Sequence, residues 1–253
     1  MKPSLRYILI QLLLFYFYGF SQAADTRTIA ILDFDNNSIS DKEQLQPLST
    51  GLADMLNTEM SQISAFKVVE RQKLSGLLNE IGLGQSGVVD PAAAQQVGKL
   101  LGAETLLLGG FVNMFGGKMR IDVRIVEVET GSTLNAVEET GKVDDVFKMV
   151  KNLAQKISRY FAIKLNSEDK ERLKQHTGSE NLEAALYYSQ GIGLGDAGRK
   201  HLADGNPELA RQSFVRAAES FRKAVEQSKN FRDARSKLKE MEAELQKISD
   251  QQH

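Results

Sequence analysis

The chain has 253 residues, 42% hydrophobic and 26% charged, with 32 Lys+Arg against 33 Asp+Glu. That length allows one or two domains, and the composition is that of a folded chain. A near-neutral charge without a basic stripe excludes an ordinary nucleic-acid binder, which needs Lys and Arg for phosphates. The absence of cysteine excludes disulfides, a lipid-acylated cysteine, thiolate metal sites and cysteine nucleophiles.

Residues 1–23 read as a secretory signal peptide. Lys2 and Arg6 make a basic start, Tyr7 to Phe20 is almost uninterrupted apolar sequence, and Ser21-Gln22-Ala23 offers a cut between Ala23 and Ala24. The apolar run is shorter than the ~20 residues a membrane-crossing helix needs. An uncleaved anchor is the alternative reading. Loss of Lys2 and Arg6 takes the net charge from −1 to −3. No transmembrane segment is expected after cleavage.

Thr28–Phe34 is an apolar run closed by the turn-forming Asp35-Asn36-Asn37-Ser38, the signature of a buried strand. Leu45 to Ile63 carries Leu48, Leu52, Met55, Leu56 and Met60 at helical spacing. Phe66–Glu70 reads as a second strand and Arg71–Ile81 as a helix broken by Gly82 to Gly87. Asp90-Pro91 starts another helix, with an N-cap and a first-turn proline, which stops at Gly102. Thr105–Met114 is an apolar strand. After Gly116-Gly117, Met119, Ile121, Val123 and Ile125 alternate with polar residues, the period of a strand with one buried face. Glu129–Ser132 turns into a further strand, Thr133–Glu139, giving an antiparallel meander. Asp144–Leu165 closes the unit as an amphipathic helix.

Residues 25–165 are therefore expected to form one α/β (α+β) domain, a mixed sheet with packed helices. The polar stretch 166–181 is expected as a linker. Residues 182–253 are expected to be an all-α, repeat-like tail of tetratricopeptide-like helices. There Ala210, Phe214 and Ala217, and again Ala217, Phe221 and Ala224, place small residues beside aromatic ones so that helices nest. Ala234, Leu238, Met241, Leu245 and Ile248 form the stripe of a final capping helix.

Chemistry-bearing motifs are weak. Gly82-Leu-Gly84-Gln-Ser-Gly87 and Gly193-Leu-Gly195-Asp-Ala-Gly198 match a dinucleotide fingerprint, but neither follows a strand, so they read as breaker and packing glycines. Asp33-Phe-Asp35-Asn-Asn37 lacks the glycine and glutamate of a calcium loop, with Ser38 and Gln44 in their places, and Asp35 to Ser38 reads as a turn. His176, His201 and His253 have no neighbour at ligand spacing. No nucleophile, base and oxyanion donor can be assembled. Glu70-Arg71 reads as a helix start, with Glu70 helping to cap and Arg71 laying its stem over the sheet. No catalytic residue, metal or cofactor is assigned.

The runs IAILDFDNNS, FKVVERQKLSGLLNEIGL, AAAQQVGKLLGAETLLLGGFV and MRIDVRIVEVETGSTL, in that order over about residues 28–160, resemble the CsgG family. That family includes a curli secretion channel and periplasmic activators of cell-wall enzymes. The resemblance implies a periplasmic domain fold and envelope protein partners. The channel's inserted membrane strands would fall at Gly116-Gly117 and Asn135–Val143, and the Gly116-Gly117 turn has no room for them.

The expectation is thus a non-catalytic, periplasmic adaptor assisting envelope or surface-structure assembly, secretion or cell-wall enzyme regulation. Peripheral outer-membrane association and homo-oligomerisation stay open. A curli-type channel component is one alternative; a small-ligand binder or unrecognised enzyme is another. Candidate partner-binding residues are Tyr187, Tyr188, Phe214 and Phe231 in the tail groove.

Overall fold

A computed structural model describes residues 26–80, 91–175 and 181–250. The expected signal peptide, its Ala23-Ala24 cut, the first glycine cluster, His176 and His253 lie outside the described residues.

Parallel pairing organises one half of the sheet: β1 (Arg27–Ile31) lies between β3 (Phe66–Val68) and β4 (Thr105–Met114). β2 (Asp35–Asn36) pairs with β4 at Gly110 and Phe111, beyond the end of β1. An antiparallel meander of β4, β5 (Lys118–Glu127) and β6 (Thr133–Lys142) completes the order β3-β1-β4-β5-β6. Gly116 and Gly117 in the β4–β5 turn have φ of 78° and 69°, the left-handed region that glycine enters without a Cβ clash.

The alternation along β5 works as expected. Met119, Ile121, Val123 and Ile125 are fully buried with Ile29, Leu107 and Phe111 against α2 (Leu48–Ser61) and α5 (Val146–Tyr160). Ala30, Leu32, Leu106, Val126 and Val128 face the other side with Ala94 of α4 (Pro91–Leu100). The α4 helix ends as its sequence requires: Gly102 takes φ 64° and Ala103 donates back to the Gly98 carbonyl at 3.0 Å.

Three segments differ from the sequence expectation. The helix expected from Leu45 to Ile63 is two, α1 (Lys42–Leu45) and α2, with Pro47 at the junction. The last helix of the domain stops at Tyr160, where Ala162 takes φ 54°. The expected linker contains α6 (Ser167–Gln175). It is tied down because Asp169, 1% exposed, accepts from the backbone amides of Ser64 and Asn166, while Leu173 enters the core. Polar composition hid a helix that is held by one carboxylate and one leucine. The remaining domain helix, α3 (Arg71–Glu80), follows β3.

The tail is α7 (Leu182–Ala203), α8 (Pro207–Gln227) and α9 (Arg232–Asp250). Asn181 caps α7 by accepting from the Ala184 amide at 2.8 Å, and Pro207 opens α8. Phe214 and Phe221 lie over Gly198 and Gly191: a Cβ on those glycines would come 2.5 and 2.6 Å from the rings. The small-beside-aromatic spacing therefore does produce close helix contact. The tail also shares one hydrophobic core with the sheet. Its α7 runs so close to α2 that a Cβ on Gly51 would lie 1.7 Å from Ser189 Oγ.

Candidate functional site

The junction between the two modules is polar at its centre. Arg71, the first residue of α3, is 11% exposed. Its Nη1 lies 2.8 Å from Asp33 Oδ1, just past β1, and its Nε donates to Asp196 Oδ2 in α7 at 3.1 Å. Asp33 also accepts from the Thr50 hydroxyl at 3.0 Å. On the tail side, Arg199 joins Asp196 at 2.8 Å and Glu240 of α9 at 3.2 Å, and Gln72 donates to the same Glu240 oxygen at 3.0 Å. Arg71 thus sets its guanidinium between the end of β1 and the tail. The charge of a residue this enclosed needs carboxylates, and Asp33 and Asp196 supply them from opposite modules. Burial alone would lower the Arg71 pKa; the charges of Asp33 and Asp196 outweigh it and hold the guanidinium protonated.

Beside this pair, the Tyr188 hydroxyl of α7 donates to Asp54 of α2. Both residues are buried, and Lys237 of α9 lies 4.0 Å from Asp54. Burial, then the Asp54 charge, pushes the Tyr188 phenol well above its ordinary range. Tyr188, Asp196 and Arg199 fall on one face of α7, which lets a single helix meet α2, α3 and α9 at once.

Next to the network lies a cleft of about 1100 Å³. Asp33 to Asn37 after β1 and Lys42, Glu43 and Gln46 of α1 form one wall. Arg216, Glu219 and Lys223 on one face of α8 form the other, and Ser189, Gln190, Gly193 and Leu194 of α7 form the floor. A smaller hollow of about 270 Å³ continues past Gly193 towards Arg71 and Lys200. The Ser38 amide donates to Asn36 Oδ1 at 3.1 Å, so the expected turn forms here, with Asn36 also bonding the Lys42 carbonyl at 2.8 Å. Burial raises the Asp35 pKa, and the nearby Arg124 opposes that shift.

The tail aromatics chosen from sequence are placed differently from the expectation. Tyr188, Phe214 and Phe231 are 0%, 0% and 1% exposed. They form the seam between helices and between modules, so they do not line an open groove. Phe231 packs against Tyr188 and against Phe147 of α5, with ring centroids 4.8 and 5.0 Å away. Tyr187 is half-buried, with Lys223 Nζ 5.5 Å from its ring centroid at the edge of the cleft. His201 lies in α7, half-buried. Among the described residues no cluster of His, Cys, Asp and Glu has the arrangement of a metal site. Large apolar side chains that do face outward include Ile39 and Phe115, 94% and 95% exposed at one end of the sheet. Their loops are joined there by the Asn113 amide donating to Ser38 Oγ at 3.0 Å and by Asn113 Nδ2 donating to Asp41 at 3.3 Å.

A family model described as "Curli production assembly/transport component CsgG" matches residues 15–118. Within that span lie β1 to β4 and α1 to α4, so the chain carries a CsgG-like domain. The C-terminal domain of LpoB from Salmonella enterica is similar at 14% identity and TM-score 0.34, over 52% of this chain and 94% of that one. The same domain from Escherichia coli gives the same values. Lipoprotein GNA1162 from Neisseria meningitidis is similar at 12% identity and TM-score 0.39, over 55% of this chain and 99% of that one. No curated protein sequence matches the chain.

Proposed function

We propose that this is an accessory protein of the bacterial envelope, exported by its N-terminal leader, that works by holding partner proteins and not by catalysis. The observation that carries the reading is the joining of a CsgG-like domain to a helical tail by the Arg71–Asp33 and Arg71–Asp196 contacts and a shared core. Two modules held in fixed orientation make a platform whose exposed surfaces keep a set geometry, which is what an adaptor supplies. Ile39 and Phe115 at the sheet end, and the cleft between the modules, are the places on that platform suited to contact.

The channel alternative receives less support. Only Phe115, Gly116 and Gly117 join β4 to β5, and β6 runs directly into the turn before α5. A membrane-strand pair needs ~9–11 residues per strand beyond the domain's own sheet. No helix among the described residues is long and apolar enough to cross a membrane.

The test is crosslinking of the native protein in intact cells, followed by fractionation and identification of what is captured. Recovery from the soluble periplasmic fraction, joined to an envelope assembly or a cell-wall enzyme, is the expected result. Recovery as a detergent-requiring homo-oligomer from the outer membrane would replace this reading with the channel.

A further inference from the structure

We infer that the cleft between the loop after β1 and helix α8 is a binding site for an extended, mixed-charge polypeptide segment of a partner protein. This deepens the adaptor reading and rests on it. The site is built before any ligand arrives, because its two walls belong to different modules whose spacing is set by Arg71, Asp33 and Asp196.

Gly193 on the floor carries the argument. A glycine inside a helix loses stability relative to alanine, so it normally has a packing reason. Gly191, Gly195 and Gly198 on the same helix each have one: a Cβ there would meet Phe221, Met241 or Phe214. At Gly193 a Cβ would meet nothing within 4 Å, and the position opens into both the main cleft and the smaller hollow. The remaining physical use of a helical glycine is to let another backbone lie against it.

The walls indicate what that backbone belongs to. Lys42 and Glu43 stand on one side and Arg216 and Glu219 on the other, all exposed, and their side chains make no ion pair or hydrogen bond among the described residues. Each wall therefore offers charges of both signs, Asp35 adding a second anion to the first and Lys223 a second cation to the other. A polyanion would meet Glu43 and Glu219 with repulsion, an acyl chain would strand four charges, and a neutral saccharide would leave them unpaired. A polypeptide bearing both signs pairs with both walls, and the Gln190 and Asn37 amides on the cleft surface match its main-chain groups.

The test selects ligands from a display library of random peptides about twelve residues long against the full mature chain. Fluorescence anisotropy then measures the selected sequences on the chain and on its Gly193→Leu and Arg216→Glu variants. The expected result is mixed-charge peptides that lose about tenfold or more in affinity with either variant, while neither variant lowers the thermal midpoint of the parent. Peptides that bind all three proteins equally, or a selection that enriches nothing over the Gly193→Leu chain, would overturn the cleft. Binding of a chitin oligosaccharide, weakened by the same variants with no peptide bound, would overturn the polypeptide in favour of a sugar. In none of these cases does the in-cell capture experiment change its answer, so the envelope reading stands or falls separately.

Discussion

Arg71 Nε and Asp196 Oδ2 lie 3.1 Å apart although 125 positions separate them in the chain. One residue comes from the strand-to-helix join of the CsgG-like domain and the other from the middle of the tail's first helix. The contact turns two sequence-separated modules into one body, and it sits between the core below and the cleft above.

Removing the guanidinium should therefore loosen the joint. Arg71→Met leaves Asp196 enclosed at 16% side-chain exposure and Asp33 at 36%, without the cation that both faced. Breaking a buried pair from one side costs ~3–5 kcal/mol, but Asp33 can rehydrate and Asp196 keeps Arg199, so about 2 kcal/mol is expected. Urea unfolding of the full chain measures it. A loss below ~1 kcal/mol, the level of a surface pair, would mean that the shared apolar core alone holds the tail.

Tyr188 gives the joint an alkaline limit. Its folded pKa is raised above the ordinary 10.0 by burial and then by Asp54. A raised group stabilises fully below its unfolded pKa, and that contribution is lost as pH rises through the folded value. Unfolding should thus become easier above pH 10, and an ultraviolet titration should show Tyr188 ionising late, together with unfolding. Tyr188→Phe should cost about 1–3 kcal/mol at neutral pH by leaving the buried Asp54 carboxylate one donor short, and should flatten the alkaline slope. An unchanged slope would count against the phenol as its source.

At the β6 edge of the sheet, Glu139 sets a smaller acid limit. Burial alone would raise its pKa, but hydrogen bonds from Lys156 and Asn152 of α5 hold it below 4.5. A lowered carboxylate stabilises above its unfolded pKa and stops doing so as pH falls through the folded value. Lys156 is 35% exposed, so the contribution stays under about 1 kcal/mol. Glu139→Gln should remove that much of the stability difference between neutral pH and pH 3. Parallel acid curves for the two proteins would show that the carboxylate is not coupled to folding.

The sheet was readable from sequence because its signals are local. Met119 to Ile125 alternate, Gly102 stops a helix, and Gly116-Gly117 turns a hairpin, each by rules that act over a few residues. The junction was not readable because nothing near Arg71 announces Asp196, and Asp33 looked like the end of a buried strand. Tyr187 and Tyr188 show the same limit. Consecutive helical residues point about 100° apart, so only one can face the core, and which one depends on where α2 packs. The neighbouring Ala184, Ala185 and Ile192, all buried, mark the Tyr188 side and were the signal that could have chosen it. Helix α6 was missed because its anchors, Asp169 and Leu173, do not repeat.

The glycines of α7 make the last prediction, because one helix contains both kinds. At Gly198 an added methyl would stand 2.5 Å from Phe214 Cε1, on a ring that is fully buried. Overpacking of that kind costs ~1–3 kcal/mol against at most ~1 kcal/mol of helix propensity gained, so Gly198→Ala should destabilise. At Gly193 the methyl meets nothing within 4 Å. Gly193→Ala gains the propensity alone, ~0.5–1 kcal/mol, and should raise the thermal midpoint by a few degrees. Opposite shifts from the same substitution five residues apart would separate a glycine kept for packing from one kept for an open surface. If Gly193→Ala also lowered the midpoint, the floor of the cleft would already be filled by a neighbouring side chain. The backbone approach inferred there would then have no room.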